Sequence, residues 1–347
     1  MKILYAIQGT GNGHLSRAVD IIPLLRQYGH VDILVSGRNS DLTIPFEINY
    51  RLSGLSFVFG KHGDIEYLKT LQGIDFSKLA KEIRYLPVKG YDLVITDFEP
   101  VAAWAAWLRN VPCYALSHQS AVANKFSPKP NIKNWAGQFI LDYYAPAKHK
   151  YGFHFANYDH HIFTPVIRQQ VRDLKITNEG HYTVYLPAYS DETLVKKLGQ
   201  FENVRWEIFS KHCKQPYQTE IIAVAPINNE AFLKSMASSA GVLCGAGFET
   251  PAEALFLKKK LMVVPMKSQY EQLCNAASLK HKGVLVLKNL KSKRLHKIRS
   301  WIESNEIVEV DYPDITASVV HLLMERHFDE NPQVILYPNC NPTFTIL

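Results

Sequence analysis

The stretch that most constrains the fold is 241–277, GVLCGAGFETPAEALFLKKKLMVVPMKSQYEQLCNAA. It reads as an apolar strand over 242–244, a Gly-X-Gly turn over 245–247 and a helix opened by Glu249 and Thr250. A second apolar strand over 261–265 follows, then a loop and helix carrying Glu271, Gln272 and Asn275. In open α/β sheets the ligand crevice lies beyond the carboxyl ends of the strands. A helix that starts there offers unpaired N–H groups and the positive end of its dipole to an anion. Thr250, Glu253, Glu271 and Gln272 therefore fall where a phosphorylated or hydroxyl-rich ligand would sit.

A second unit of this kind opens the chain. Residues 3–7 form a short buried-strand pattern, followed by QGTGNGHLSRAVDIIPLLRQYGH and another strand over 31–36. Gly9, Gly11 and Gly13 permit a turn that Cβ-bearing residues would obstruct, ahead of a helix expected over 14–28. The spacing is not G-x-G-x-x-G, and Ser36, Gly37 and Arg38 stand where a dinucleotide site carries its acidic residue, which disfavours NAD. His14, in the first helical turn beside the crevice, is placed to accept a proton from a hydroxyl. Asp97 and Glu99 end the strand expected from 91 on, ahead of Pro100. A carboxylate there can orient a histidine or bind sugar hydroxyls, and it can equally cap the helix expected over 101–109. Ser117, His118, Gln119 and Ser120 follow the strand expected over 111–116 and are further crevice candidates.

The Thr164-Pro165 dipeptide suits an extended connector. Beyond it the βα alternation resumes, with helices expected over 191–199, 229–239, 295–303 and 315–326. The expectation is an α/β chain of two Rossmann-like, doubly wound domains facing each other across a cleft, 1–165 and 166–330, with a tail over 331–347. A net charge of +7 favours anionic partners. Within 125–151, Lys125, Lys129, Lys133, Lys148 and Lys150 interleave with Phe126, Trp135, Phe139, Ile140, Tyr143 and Tyr144. That composition suits a lipid-headgroup surface; nucleic acid would use it too, but no nucleic-acid motif accompanies it. Five widely spaced cysteines without a C-x-x-C pair point to a reducing cytosol, with neither disulfides nor zinc. No apolar run reaches the roughly 18 residues a membrane span needs, so a cytoplasmic protein that meets a membrane at its surface is expected.

The pairing of GTGNGHLSRA with GAGFETPAEAL…VVPMKSQYEQLCNA resembles the GT-B glycosyltransferases, nearest those related to family 28, which includes the lipid-II-forming N-acetylglucosaminyltransferase. The resemblance implies a nucleoside diphosphate sugar, with a lean to UDP, held by the C-terminal domain. Glu253 matches the ribose-binding glutamate, Gly247 and Thr250 the pyrophosphate-binding turn, and Glu271 and Gln272 the pair that reads sugar hydroxyls. Asn275 closes the motif. Ser190 would supply a hydroxyl where relatives have a glycine-rich turn, and Ile227 would meet the base through its backbone. His14 matches the general base, with Asp97 or Glu99 as partner, and Gly11, Asn12, Gly13, Glu99, His118 and Gln119 complete an acceptor or phosphate loop. The implied chemistry is metal-independent inversion at the anomeric carbon, with no cofactor beyond the nucleotide sugar and a lipid-linked or cell-envelope acceptor. Two alternatives stay open: a GT-B nucleotide-sugar 2-epimerase and a non-catalytic nucleotide-sugar-binding protein.

Overall fold

The computed structural model describes residues 1–10, 12–37, 44–55, 75–132, 134–267 and 269–332. Strand β1 (Lys2–Gln8) leads through a glycine turn into α1 (Asn12–Leu25) and β2 (His30–Ser36). Ile3, Leu4, Tyr5, Ala6 and Ile7 of β1 are all fully buried. A strand apolar on both faces is what a sheet covered by helices on both sides requires. The remaining strands of this half are β3 (Tyr50–Leu52), β4 (Leu93–Asp97), β5 (Cys113–Leu116), β6 (His149–Phe153) and β7 (Ile162–Phe163). Its helices are α2 (Phe76–Tyr85), α3 (Pro100–Leu108), α4 (His118–Ala123) and α5 (Trp135–Tyr143). The sheet order is β3-β2-β1-β4-β5-β6-β7, and every pairing in it is parallel.

After a short α6 (Gln169–Arg172) the second half runs β8 (His181–Tyr185), α7 (Asp191–Leu198), β9 (Arg205–Ser210), β10 (Tyr217–Gln218), β11 (Ile222–Pro226) and α8 (Asn229–Ser238). It continues with β12 (Gly241–Gly245), α9 (Glu249–Phe256), β13 (Lys260–Val264), α10 (Tyr270–His281) and β14 (Leu285–Val286). Helices α11 (Leu295–Glu303) and α12 (Thr316–Glu330) close the described chain. The sheet order is β10-β11-β9-β8-β12-β13-β14, parallel except where the edge strand β10 runs antiparallel to β11.

Both sheets reverse their winding direction once, between β1 and β4 in the first and between β8 and β12 in the second. At such a switch point the connections leave toward opposite faces and open a crevice. The turns after β1, β4, β8 and β12 therefore border the cleft. The chain is α/β throughout, two doubly wound sheets as expected from the sequence. Two elements differ from that reading. The basic-aromatic stretch is not one surface: Trp135, Phe139 and Tyr143 are exposed, while Tyr151 in β6 is buried. The last helix returns to the first half: Tyr28 on the α1 side meets His321 at 2.9 Å, and Glu330 accepts from Tyr114 at 3.1 Å and Lys148 at 2.8 Å. Residues 56–74 and the expected tail beyond 332 lie outside the described residues.

Candidate active site

Residues Ile7 and Asp97 sit side by side in the register of β1 and β4, so the turn after β1 and the end of β4 rise together. That brings His14 to Asp97. The imidazole Nδ1 lies 2.8 Å from Asp97 Oδ1, and because the carboxylate can only accept, Nδ1 carries the proton. Nε2 is left as the acceptor, and His14 is among the residues lining a cavity of about 340 Å³. Gln119 Nε2 stands 3.4 Å from it.

Asp97 also accepts from Arg17 Nη2 through both oxygens, at 2.9 and 2.8 Å. Burial alone would raise the Asp97 carboxyl, but the Arg17 charge and His14 outweigh it and hold the group below its ordinary value. Asp97 is thus ionised and able to hold His14 in one tautomer. Arg17, one helical turn beyond His14 on α1, reaches across the cleft: its Nη1 donates to Glu249 Oε1 at 2.6 Å. Gly13 makes room for that carboxylate, since a Cβ there would stand 2.4 Å from Glu249 Oε2.

The opposite wall comes from the second half. Gly247, Phe248 and Glu249 line the cavity at the start of α9, and Gln269, Tyr270 and Glu271 at the start of α10. Glu271 accepts from Gln119 Nε2 at 3.0 Å. A Cβ on Gly247 would meet nothing within 4 Å, so the turn leaves open space beside the helix N-terminus. Phe98, Ile140 and Leu141 form an apolar wall on the first half. Phe98 holds φ at 57°, a conformation unusual for a bulky residue. Thr96 fixes the chain on its far side, accepting from Glu99 N at 2.8 Å and donating to Glu99 O at 2.9 Å.

Several expected site residues have other employment. Glu99 is fully buried and caps α3, accepting from Val101 N at 2.9 Å and Ala102 N at 2.7 Å, with Ser36 Oγ donating at 2.6 Å. The acceptor-loop role expected of it is corrected: every oxygen is committed to the fold. Asn275, fully buried, bridges the halves, its Oδ1 2.8 Å from His118 Nε2 and its Nδ2 donating to Ala246 O at 3.1 Å. It positions the walls and does not face the cavity. His118 likewise has Nδ1 2.8 Å from Phe153 O and stacks on Phe248 at 3.9 Å, so only its edge reaches the lining. Glu253 is 2% exposed and forms a two-pronged pair with Arg168, at 2.6 and 2.9 Å; ribose hydroxyls would have to displace that arginine. Gln272 accepts from Met266 N at 3.0 Å and donates to Gln269 Oε1 at 2.8 Å, bracing the loop before α10. Ser190 caps α7. Thr250 lies in the first turn of α9, and Ile227 is exposed just after β11. None of these three lines the cavity. Gly11 and the side chain of Asn12 lie outside the described residues. The residues missed by sequence reasoning are Arg17, Phe98, Phe248, Glu249 as a partner for Arg17, and Tyr270. Arg17 alone left a signal, its three-residue spacing from His14 on one helix face.

Two parallel, doubly wound sheets that meet at their carboxyl edges, with a histidine-carboxylate pair after the first strand, define the GT-B class of fold. Residues 1–303 match the profile of glycosyl transferase family 1, and the chain belongs to that family. An uncharacterized glycosyltransferase of Methanosarcina acetivorans is 31% identical over 153 residues, 42% of this chain. The match spans about two fifths of that curated relative, 39% of its length. Among solved structures, MurG of Acinetobacter baumannii superposes with a TM-score of 0.56 at 16% identity, covering 93% of this chain and 99% of that one. UGT2 of Phytolacca americana, complexed with UDP-2-fluoro-glucose and pterostilbene, gives 0.56 at 13% identity, covering 94% and 98%. SsfS6 of a Streptomyces species, complexed with thymidine diphosphate, gives 0.54 at 14% identity, covering 94% and 99%. At these identities the likeness establishes the shared fold.

Proposed function

We propose that the protein transfers a sugar, with inversion, from a nucleoside diphosphate sugar to an acceptor hydroxyl. The observation that carries this reading is His14, its Nδ1–H held by Asp97 and its ring part of the lining of a cavity whose far wall is the start of α9. His14 Nε2 takes the acceptor proton as the acceptor oxygen bonds to the anomeric carbon. The bond from that carbon to the β-phosphate oxygen breaks, and the electron pair leaves with the nucleoside diphosphate. Backbone N–H groups at the start of α9 neutralise the departing charge, so no metal is invoked. Two structural neighbours hold UDP-2-fluoro-glucose and thymidine diphosphate, which favours a nucleotide donor here and leaves the base to experiment.

The acceptor side is read as a lipid-linked hydroxyl met at a membrane surface. Helix α5 supports this. Trp135, Phe139 and Tyr143, four residues apart, are 83%, 61% and 59% exposed. The same helix lines the cavity through Gly137, Ile140 and Leu141. A lipid lying against its outer side would present its headgroup to the inner one.

The test is turnover of a panel of UDP-, dTDP- and GDP-sugars, with and without vesicles carrying polyprenyl and diacylglycerol acceptors. Transfer with inverted anomeric configuration, unaffected by EDTA, is expected. His14→Ala should lower it by about 10²–10⁴-fold while nucleotide affinity holds within about twofold. Acceptor-free conversion of a nucleotide sugar into its epimer would replace transfer by epimerisation.

A further inference from the structure

The guanidinium of Arg17 is 2% exposed, yet its hydrogen bonding is incomplete. Nη2 serves both oxygens of Asp97 and Nη1 serves Glu249, while Nε has no partner. Arg17 is among the residues that line the cavity, while Nε itself is buried behind that lining. Its second acceptor has the opposite character. Glu249 is the first residue of α9, beside Phe248, which contributes no side-chain cap, and its carboxylate is 26% exposed. A partly exposed anion thus sits at a helix N-terminus, against a buried arginine, with the bare Cα of Gly13 and the open space beside Gly247 around it. Those are the contacts a phosphate would make.

We infer that Glu249 occupies the place of the donor's β-phosphate and that Arg17 is a catalytic residue: when the nucleotide binds, Glu249 swings out and Nη1 donates to a β-phosphate oxygen in its place. The inference rests on the transferase reading. Two like charges cannot share one guanidinium corner, and of the two anions only Glu249 has a route to water. Arg17 keeps Nη2 on Asp97 throughout. One side chain of the first half then fixes the base dyad and stabilises the negative charge that builds on the leaving phosphate. Arginine suits the role because its planar fork serves two anions at once, which an ammonium cannot do with the same geometry.

Calorimetry on the full chain with UDP, dTDP, GDP and ADP, and with the monophosphate of whichever binds, tests this. Arg17→Gln should weaken the diphosphate about tenfold or more and the monophosphate by less than about twofold, because only the former reaches the arginine. Glu249→Gln should tighten the diphosphate severalfold by removing the competing anion. Where Arg17→Gln folds poorly, since it leaves Asp97 short of a charge partner, Glu249→Gln carries the test alone, because it leaves the Arg17–Asp97 pair intact. Equal loss of diphosphate and monophosphate binding in Arg17→Gln, or weaker diphosphate binding in Glu249→Gln, would overturn the assignment. A wild-type protein that binds no diphosphate would instead overturn the transferase reading beneath it, before any variant is compared.

Discussion

Asp97 and Glu99 stand two residues apart and are both fully buried, yet their neighbours give them opposite tendencies. Asp97 has a cation beside it and stays ionised. Glu99 has only hydrogen-bond donors, and burial outweighs them, lifting its carboxyl from the ordinary 4.5 to about 7. A carboxyl raised in the folded state binds a proton that the unfolded chain releases. Its contribution to stability is therefore full below pH 4.5 and lost as pH rises through about 7. The wild type should be less stable at about pH 8 than at about pH 5, by up to about 3 kcal/mol from this group, and Glu99→Gln should flatten the dependence. Urea denaturation across that range checks it; identical slopes would mean that Glu99 does not titrate there. Which of the two carboxylates orients His14 was not readable in the sequence. Both end the same strand. The choice turns on Thr96 and Ser36, which draw Glu99 down into the α3 cap. Arg17 was hidden for a related reason: a helical arginine reads as solvated until its carboxylates, 80 and 232 residues away, are known.

Among the elements, α5 shows how far composition can be trusted. Of the aromatics in the expected lipid-facing pattern, Phe126, Trp135, Phe139 and Tyr143 are exposed while Tyr144 stacks on Phe98, and the basic half is largely engaged. Lys148 pairs with Glu330 at 2.8 Å, Lys150 donates to Asp142 O at 3.1 Å and Lys129 to Val122 O, while Lys133 lies outside the described residues. Apolar insertion should therefore dominate any vesicle binding, with a modest dependence on anionic lipid. Each ring that leaves water contributes about 1.5–3 kcal/mol at full burial. Replacing Trp135 and Phe139 together by serine should lower the partition coefficient onto vesicles at least about tenfold while shifting stability by less than about 0.5 kcal/mol each, as both are surface positions. Vesicle sedimentation with thermal melts measures both; unchanged partitioning would move the acceptor surface elsewhere. The positions of α9 and α10 were legible because a glycine turn, an acidic helix start and two apolar runs leave few alternatives. The fate of their polar residues was not. Glu253 and Asn275 carry the right chemistry for ligands but meet Arg168 and His118, partners distant in sequence.

At the scale of the whole molecule, alternation and the Thr164-Pro165 connector made the two sheets readable, while the return of α12 was not: an apolar helix face says that it packs, not on which half. The closed arrangement of the halves depends on His118. Its ring stacks on Phe248 with 7° between planes, and its two nitrogens face Phe153 O and Asn275 Oδ1, both acceptors in this arrangement. A neutral imidazole has one N–H and serves one of them; an imidazolium would serve both and would meet Glu271, 3.8 Å away. Burial outweighs that gain, with Glu271 and the Phe153 carbonyl opposing it, and the ring is held below its ordinary value. A base lowered in this way contributes stability that is full above its ordinary 6.5 and is lost as pH falls below it. Opening the cleft returns the ring to water, so acidification should favour the open form. The radius of gyration from X-ray scattering should rise between about pH 7.5 and about pH 5.5 in the wild type. His118→Phe keeps the stack on Phe248 without a titrating group, and its radius should stay flat. A rise of equal size in both proteins would relieve His118 of the role.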